Sequence, residues 1–306
     1  MLCLGIDTSN YTTSAALYDS ETGSLVQARR LLNVKEGELG LRQSDAVFQH
    51  TVNLPVMIEE VLKGNKDKID VVAVSVSPRD EEGSYMPCFL SGKGTAQAIA
   101  TATGADIKYF SHQAGHIAAA LYSAKALSLL GEDFIAFHVS GGTTEAVKVT
   151  ADKNKIFSVE LVSKSLDLKA GQAIDRTGNL LGLPFPAGPA LDELSLKSDK
   201  TYKIKPFMKN GDCSISGLQN KCEKMKQNGE TDEDIAKYCI EYISQVIYEM
   251  TKALLEKYPG LPLVYSGGVM SNTLIRKRFS EEFGAVFAAP GFSSDNAAGL
   301  AVLASL

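Results

Sequence analysis

One pattern occurs twice in this chain and constrains its fold more than any other feature: a strand, a small polar turn and a second strand. The first copy spans residues 2–18 and the second spans residues 134–150. Short apolar runs bounded by Gly, Ser and Thr are typical of paired strands. A repeat of this kind indicates two related lobes, each offering one turn to a shared ligand. At 306 residues the chain is long enough for two domains, or one large bilobed unit, with ample core.

The rest of the chain has an α/β character. The apolar run Val71–Val76 predicts a buried strand, whereas residues 44–62, 168–181 and 230–257 have helical spacing. Small residues at 92–100 predict a helix packed closely on a sheet, and the prolines at 184–189 predict a rigid loop. No low-complexity linker is present in the sequence, so structured segments should connect the lobes.

The charge of the chain excludes a general attraction to nucleic acid. The formal net charge is −5, so an RNA substrate would need a local basic patch or a partner protein. Candidate patches lie at Lys197–Lys209, Lys221–Lys226 and Arg276–Arg278, and their simpler interpretation is a set of solvated cationic faces.

The cysteines and the N-terminal segment indicate a cytoplasmic protein. The five cysteines are scattered, without a C-x-x-C pair, which argues against a disulfide framework and a zinc knuckle. The N-terminal residues enter a strand without a basic leader, and no apolar run approaches the length of a membrane span. We therefore expect no membrane partner.

Two of the four histidines, His112 and His116, stand four residues apart where a predicted strand gives way to a helix. Side chains at this spacing lie on one helical face, and two neutral imidazoles on one face are a suitable pair of ligands for a divalent metal. The carboxyl end of a strand is also where open α/β sheets bind ligands. The alternative is a helix N-terminus with two half-buried histidines.

Three glycine-bearing turns follow predicted strands, at Gly5–Thr13, Ser140–Gly142 and Ser266–Gly268. Glycine allows backbone N–H groups to approach a phosphate closely. Three such turns in a duplicated α/β chain favour a bound nucleotide over simple turn chemistry. The sequence contains neither a Walker A motif nor a dinucleotide-binding fingerprint.

Four aspartates, Asp7, Asp167, Asp175 and Asp295, stand at strand ends or on a glycine-containing helix. Carboxylates at such places can hold a metal or a ribose hydroxyl. Each one alone is also consistent with a helix cap or a surface acid, and Asp295 is adjacent to a predicted helix N-terminus. Cys88 has no nearby base in the sequence and is interpreted as structural.

Eight motifs occur in the order of one known family: Gly5-Ile-Asp-Thr-Ser9, the pair His112/His116, Val139-Ser-Gly-Gly142, Ala170-Gly-Gln-Ala-Ile-Asp175, Leu181-Gly-Leu-Pro-Phe-Pro-Ala-Gly-Pro189, Ser214-Ile-Ser-Gly-Leu218, Ser266-Gly-Gly-Val269 and Ser294-Asp-Asn-Ala-Ala298. Over nearly its whole length the chain resembles the tRNA N6-adenosine threonylcarbamoyltransferase family, once named O-sialoglycoprotein endopeptidases or glycoproteases. The set of motifs is highly specific.

The resemblance implies an α/β fold of the actin/Hsp70/sugar-kinase type, with duplicated mixed sheets in two lobes around a nucleotide cleft. The first lobe is expected at residues 1–106 plus 293–306, and the second at residues 107–292. It also implies one divalent ion, iron or zinc, and ATP or threonylcarbamoyl-adenylate, which Mg²⁺ can accompany. The implied metal ligands are His112, His116 and Asp295, and the implied adenylate-binding residues are His138, Val139, Ser140, Gly141, Gly142, Asp175, Gly188 and Asn272.

The implied activity is transfer of a threonylcarbamoyl group from its adenylate to N6 of adenosine-37 in tRNAs that read ANN codons. No residue is assigned as the catalytic base or nucleophile. The implied partners are a tRNA acceptor and either a degenerate paralogue or a second copy of the chain, docked through the first lobe.

Several positions depart from the family pattern and indicate a divergent bacterial paralogue. Residues 10–12 replace an acidic pair, residues 77–86 replace a Gly-Pro-Gly-Leu segment, and Thr143 and Leu168 replace a histidine and an aspartate. Two alternatives therefore stay open: a carbamoyl-type transferase with another acceptor, and a non-catalytic ATP-binding partner protein. The metallopeptidase function is disfavoured because no H-E-x-x-H motif occurs.

Overall fold

Each copy of the repeated pattern begins a five-stranded mixed sheet. The computed structural model describes residues 1–306 apart from 10, 35–40, 66–67, 154 and 294. These described residues form two compact units, Met1–Leu127 with Gly291–Leu306, and Ser128–Pro290. We call them unit 1 and unit 2.

The strands are β1 (Leu2–Asp7), β2 (Thr12–Asp19), β3 (Leu25–Leu31), β4 (Val71–Ser77), β5 (Asp106–Ser111), β6 (Phe134–Val139), β7 (Thr144–Asp152), β8 (Ile156–Lys164), β9 (Phe207–Lys209), β10 (Asp212–Ser214), β11 (Leu263–Ser266) and β12 (Val286–Phe287). The α-helices are α1 (Gln43–Leu62), α2 (Phe89–Thr103), α3 (His112–Ser123), α4 (Ala170–Leu180), α5 (Gly188–Ser195), α6 (Gly217–Gln227), α7 (Asp232–Lys257), α8 (Thr273–Phe283) and α9 (Ala298–Ala304).

The two large sheets have the same topology. Their strand orders are β3-β2-β1-β4-β5 and β8-β7-β6-β11-β12. In each sheet the first strand pairs antiparallel with the second and parallel with the fourth, so β1 and β6 correspond. The predicted duplication into two related units is therefore confirmed.

The boundaries of the two units differ from the expected lobe boundaries. Residues 107–127 and 291–292 belong to unit 1, whereas the family resemblance implies that they belong to the second lobe. The reason is that β5 pairs with β4 along its whole length and α3 packs against α9. Both contacts tie this segment to the first sheet.

Helices cover both faces of the unit 1 sheet. Leu4 and Ile6 of β1 share a buried cluster with Leu54 of α1, on one face. On the other face Cys3 of β1 packs against Leu300 of α9. This alternation follows from the period of two along a strand, and it places α3 and α9 together on a single face of the sheet.

Unit 2 is organised around α7. Its predicted apolar side chains are all buried in the described structure: Ile235, Cys239, Ile243, Val246, Ile247 and Leu254. Thr231 begins the helix by accepting a hydrogen bond from the Asp234 N–H. The loop predicted at 184–189 ends earlier than expected because Gly188 and Pro189 already belong to the first turn of α5, where proline is well tolerated.

No helix of the described residues combines the length and the apolarity needed to cross a bilayer.

A buried histidine on α1 makes the stability of unit 1 sensitive to pH. His50 is fully buried, and its Nδ1 lies 2.8 Å from Thr13 Oγ1. Among the described residues its Nε2 has no hydrogen-bond partner. Burial lowers the pKa of His50 to about 4, although the charge of Asp7 opposes this shift.

We expect the free energy of unfolding to fall as the pH falls from about 6.5 to about 4. In this window the unfolded chain binds a proton at His50 and the folded chain does not, so the loss attributable to His50 is on the order of 2–3 kcal/mol. Urea unfolding at pH 7 and pH 4.5 measures it, with His50→Gln as the comparison. An equal loss in the variant and the natural protein would contradict the assignment, because every other titrating group is common to both.

Candidate metal centre

The predicted histidine pair lies on the first two turns of α3. Ser111 ends β5 and caps the helix, since its Oγ accepts a hydrogen bond from the Ala114 N–H at 3.2 Å. The helix therefore begins at His112, and the ring centroids of His112 and His116 are 4.3 Å apart. The predicted change from strand to helix at this position is confirmed.

Asp295 completes a group of three possible metal ligands within unit 1. Its Oδ1 lies 3.2 Å from His116 Nε2 and 3.6 Å from His112 Nε2. All three side chains are partly buried, and one ligand atom from each lies within 4.8 Å of the others. Thr12 contacts the second carboxylate oxygen at 3.5 Å.

The capping role considered for Asp295 belongs instead to its neighbour. Asn296 Oδ1 accepts a hydrogen bond from the Ala298 N–H at 3.0 Å, at the start of α9. Asp295 is therefore directed to the histidines, and the interpretation of Asp295 as a helix cap is wrong.

Two glycines hold the histidines close to the segment that carries Asp295. Gly115 lies on α3 between the two histidines, and Gly299 lies in the first turn of α9. A Cβ atom on Gly299 would lie 1.8 Å from the Gly115 carbonyl oxygen and 2.6 Å from the Ala119 nitrogen. Only the absence of a side chain allows the two helix backbones to approach so closely.

Asp7 lies behind His112 and orients its ring. The carboxylate is fully buried at the end of β1, accepts hydrogen bonds from Ser9 and Ser75, and lies 3.2 Å from His112 Nδ1. This contact leaves Nε2 of His112 directed to Asp295. A carboxylate on the far nitrogen of a ligating histidine is a recurrent way of fixing its orientation.

The interpretation of Asp7 as a surface acid or a helix cap is therefore wrong. A lone aspartate after a strand carries no indication of its partner, since His112 is more than a hundred residues away in the sequence. The local sequence offers one indication of a polar site at Asp7: two hydroxyl residues, Thr8 and Ser9, immediately follow it.

Two carboxylates favour a proton on His112. Burial lowers the pKa of His112, but the nearby charges and hydrogen bonds of Asp7 and Asp295 outweigh it and raise that pKa to about 10. Burial raises the pKa of Asp295, yet contacts with the two histidines hold it well below its usual range. For Asp7, too, His112 and the two serines outweigh burial and lower the pKa. The cluster is thus built to hold a positive charge.

These side chains fit a small transition-metal ion. Nitrogen and oxygen ligands about 2.0–2.1 Å from a tetrahedral ion lie roughly 3.3 Å from one another. The separations of 3.2 and 3.6 Å between histidine and carboxylate atoms are close to that value. Two histidines and one carboxylate suit zinc or ferrous iron and leave coordination positions for water or substrate.

Five of the residues predicted to bind the adenylate, His138 to Gly142, lie in unit 2 at the carboxyl end of β6. Ser140 begins a tight turn in which its N–H bonds the Thr143 carbonyl at 2.7 Å and its Oγ accepts the Thr143 N–H at 3.1 Å. Gly141 and Gly142 are exposed on this turn. A Cβ atom on Gly171, in the first turn of α4, would lie 2.5 Å from the Gly141 nitrogen, so the turn and the helix start are in close contact.

Contacts within unit 2 also hold other predicted residues of this set. His138 Nδ1 lies 3.2 Å from Ser266 Oγ, and the buried Val139 contacts Gly267. Asp175 accepts the Ala187 N–H at 2.9 Å, directly before Gly188.

Asn272 makes hydrogen bonds with both ends of its side-chain amide. Its Oδ1 caps α8 at the Ile275 N–H, and its Nδ2 donates to Asp192 at 2.8 Å. A structural role is thus evident for Asn272, and adenylate binding by the whole set stays a prediction. Asn10 and Ser294, which belong to the sequence motifs, lie outside the described residues.

Asp167 has a structural role in unit 2. Its carboxylate accepts hydrogen bonds from the N–H groups of Leu168, Ile215 and Ser216 at 2.6, 2.8 and 3.2 Å. It therefore joins the segment after β8 to the segment after β10, as a cap would.

Solved structures with the same fold include proteins of several functions. Component A of (R)-2-hydroxyglutaryl-CoA dehydratase from Acidaminococcus fermentans matches with a TM-score of 0.56 at 18% identity, over 99% of this chain and 97% of that chain. A ROK family glucokinase from Streptomyces griseus matches with a TM-score of 0.54 at 11% identity, over 100% and 99%. These likenesses confirm the predicted α/β fold of the actin/Hsp70/sugar-kinase type.

Sequence relatives are more informative. The tRNA N6-adenosine threonylcarbamoyltransferase of Streptococcus suis (strain 05ZYH33) is 31% identical over 295 residues, which cover 92% of this chain and 84% of that protein. The protein of the same name from Chlorobium phaeobacteroides is 29% identical over 336 aligned positions, covering 100% and 92%. The family model of TsaD, tRNA N6-adenosine threonylcarbamoyltransferase, matches residues 33–302. The chain therefore belongs to the TsaD family.

Proposed function

We propose that this protein transfers a threonylcarbamoyl group from its adenylate to N6 of adenosine-37 in tRNAs that read ANN codons. The observation that carries the proposal is the group formed by His112, His116 and Asp295 in a chain of this family. A bound iron or zinc ion would act as a Lewis acid and orient the acyl group.

The side chains of unit 1 would perform three tasks in this reaction. His112, His116 and Asp295 would hold the ion, and Asp7 would fix the ring of His112 so that Nε2 is the ligating nitrogen. The hydroxyl of Thr12 would restrain the carboxylate of Asp295.

Unit 2 would bind the adenylate. The exposed N–H groups of Gly141 and Gly142, next to the start of α4, can donate to a phosphate, and the helix dipole favours a negative charge there. The cytoplasm is the proposed location.

The test is restoration of the modified nucleoside in a bacterial strain that lacks its own enzyme. We expect tRNA from cells that express this protein, with the partner proteins of its source, to regain threonylcarbamoyladenosine, measured by mass spectrometry of nucleosides. His116→Ala should not restore it, whereas Gly94→Ala should, because Gly94 has open space around it. A well-expressed, folded natural protein that restores nothing would contradict the proposed acceptor.

A second candidate is a carbamoyl-type transferase that acts on another acceptor. The altered segment Ser77–Met86 contacts α3 beside the metal ligands, because the Pro78 carbonyl accepts the Gln113 N–H at 3.1 Å. Any acceptor that approaches His112 from this side would therefore meet residues that differ from the family pattern. Release of AMP from threonylcarbamoyl-adenylate with a non-RNA acceptor, and none with tRNA, would favour this candidate.

For the partner we propose a related chain docked on the helices of unit 1. Phe48, Val52 and Val56 of α1 are 70%, 56% and 42% exposed, and their spacing of four places them on one face. Leu90 of the adjacent α2 is 53% exposed. An exposed apolar helix stripe of this kind is typical of a protein interface.

We expect Phe48→Glu to abolish pairing of the chain with its co-expressed paralogue, because a charge would be buried in the interface. Size-exclusion chromatography with light scattering measures the complex. Val26→Glu, at an exposed apolar position on β3, is the control and should leave it intact. If the natural chain forms a homodimer and no complex with the paralogue, the face belongs to a homodimer interface. If Phe48→Glu does not affect formation of the complex, the interface lies elsewhere.

A further inference from the structure

A short segment of unit 2 that ends in β9 exposes three lysines and an aromatic ring. Residues 201–209 alternate strictly between exposed and partly buried side chains. The inward side chains include Tyr202 and Met208, which pack against the unit 2 core. The outward ones include Lys203, Lys205, Phe207 and Lys209, which we call the basic strip.

Several cations next to the basic strip or in the other two patches have acidic or aromatic partners within the chain. Lys200 is paired with Asp234 at 2.8 Å, and Lys226 with Asp232 at 2.5 Å. Arg278 lies 3.0 Å from Glu282 and stacks on the Tyr248 ring. For the three strip lysines, the described part of the chain provides neither a salt bridge nor a side-chain hydrogen bond. Their charge is therefore available to an external anion.

The aromatic member of the strip is equally exposed. Phe207 is 61% exposed, and it lies between Lys205 and Lys209 on the same side of the segment. Burying this ring against another surface would be favourable, and a nucleobase presents a flat π-face that stacks well on an aromatic side chain. Exposed lysines on either side of an exposed aromatic residue are suited to a chain that carries both phosphates and bases.

The spacing supports the same conclusion. Alternate residues of an extended strand are about 6.6 Å apart, so Phe207 and Lys209 of β9 are neighbours at about that spacing on one side of the strand. Single-stranded nucleic acids are bound without sequence preference by rows of cations and stacking platforms. Residues 203–209 contain no acidic residue, although Asp212 of β10 is the cross-strand partner of Lys209 and the whole chain carries a net charge of −5.

We propose that the basic strip binds single-stranded RNA, with Lys203, Lys205 and Lys209 on the phosphates and Phe207 stacked on a base. This inference rests on the proposed function only for the identity of the RNA, a tRNA loop. It assigns to this surface a role in RNA binding that is separate from the metal centre.

The experiment is fluorescence anisotropy with a labelled stem–loop RNA, at several salt concentrations, with no adenylate present. Each phosphate contact contributes about 0.7 to the slope of log affinity against log salt for single strands. The triple variant Lys203→Ala/Lys205→Ala/Lys209→Ala should therefore lower the slope by about 2. Phe207→Ala should weaken binding about tenfold with an unchanged slope, and Phe207→Tyr should restore it.

The matched control is Lys226→Ala, an exposed lysine whose charge is already paired with Asp232. It should change neither affinity nor slope. Equal binding by the triple variant and the natural protein would overturn the proposal, as would equally tight, Phe207-dependent binding of polyglutamate. The binding assay requires no turnover, so it tests the basic strip independently of catalysis. A protein that binds RNA through the strip but is catalytically inactive would contradict the proposed function and leave the RNA-binding proposal standing.

Discussion

Gly299→Ala is expected to destabilise unit 1 by about 3 kcal/mol or more and to weaken metal binding about 10- to 100-fold. In a helix, replacing glycine by alanine is normally favourable by about 0.5–1 kcal/mol. Here the new methyl carbon would lie 1.8 Å from the Gly115 carbonyl oxygen. Backbone atoms cannot yield as a flexible side chain would, so the overlap outweighs the gain in helix propensity. Separation of α9 from α3 then moves Asp295 away from the two histidines.

Thermal unfolding and a zinc-competition titration measure the two effects. Gly94→Ala on α2 is the matched control, since this helical glycine has no atom within 4 Å of its would-be Cβ. We expect that variant to be as stable as the natural protein or slightly more stable. A Gly299→Ala protein that melts like the natural one would show that the two helices do not depend on this contact.

The affinity for Zn²⁺ is expected to rise about tenfold for each pH unit from pH 6 to pH 8. In the metal-free protein Asp7 and Asp295 raise the pKa of His112 to about 10, so an entering ion must displace one proton. Fewer protons compete as the pH rises, which fixes the sign of the dependence. Titration against a chromogenic chelator at constant ionic strength measures it.

Three aspartate variants separate the contributions of individual carboxylates to Zn²⁺ affinity and to its dependence on pH. Asp295→Asn removes an anionic ligand and should abolish measurable binding. Asp7→Asn should make the dependence on pH shallower, because one of the charges that retain the proton is lost, and should lower the affinity 10- to 100-fold. Asp19→Asn, at the end of β2 where the carboxylate accepts a hydrogen bond from Thr22, should change neither the affinity nor its dependence on pH. An affinity of the natural protein that does not vary with pH would contradict a protonated His112.

Much of the fold could be predicted because long elements carry a clear periodicity. The helix α7 has a buried face with a regular spacing over 26 residues, and the strands β1 and β6 are apolar runs with glycine-bearing turns behind them. The strands β9 and β10 are only three residues long. The helix α6 is largely polar and buries only Leu218, Cys222 and Met225. Neither the short strands nor the polar helix has a pattern that stands out from a loop.

The candidate metal centre was predictable in part for a similar reason. A spacing of four residues places His112 and His116 on one helical face without any tertiary information. Asp295 could be assigned only from the family resemblance, because its proximity results from packing of α9 on α3. The contact of Asp7 with His112 depends on the position of α3 over the end of β1, which no local pattern encodes.

Unit 1 is built from two stretches that are distant in the sequence, so its parts are synthesised at different times. When residues 1–127 leave the ribosome, the face of the sheet that carries Cys3 and Ala16 still lacks α9, which covers it in the finished structure. All of unit 2 is made before Asp295 appears. The two histidines and Asp7 are therefore synthesised well before Asp295. The group of His112, His116 and Asp295 can form only after unit 2 has been synthesised, and a chain interrupted within unit 2 would contain the two histidines without Asp295.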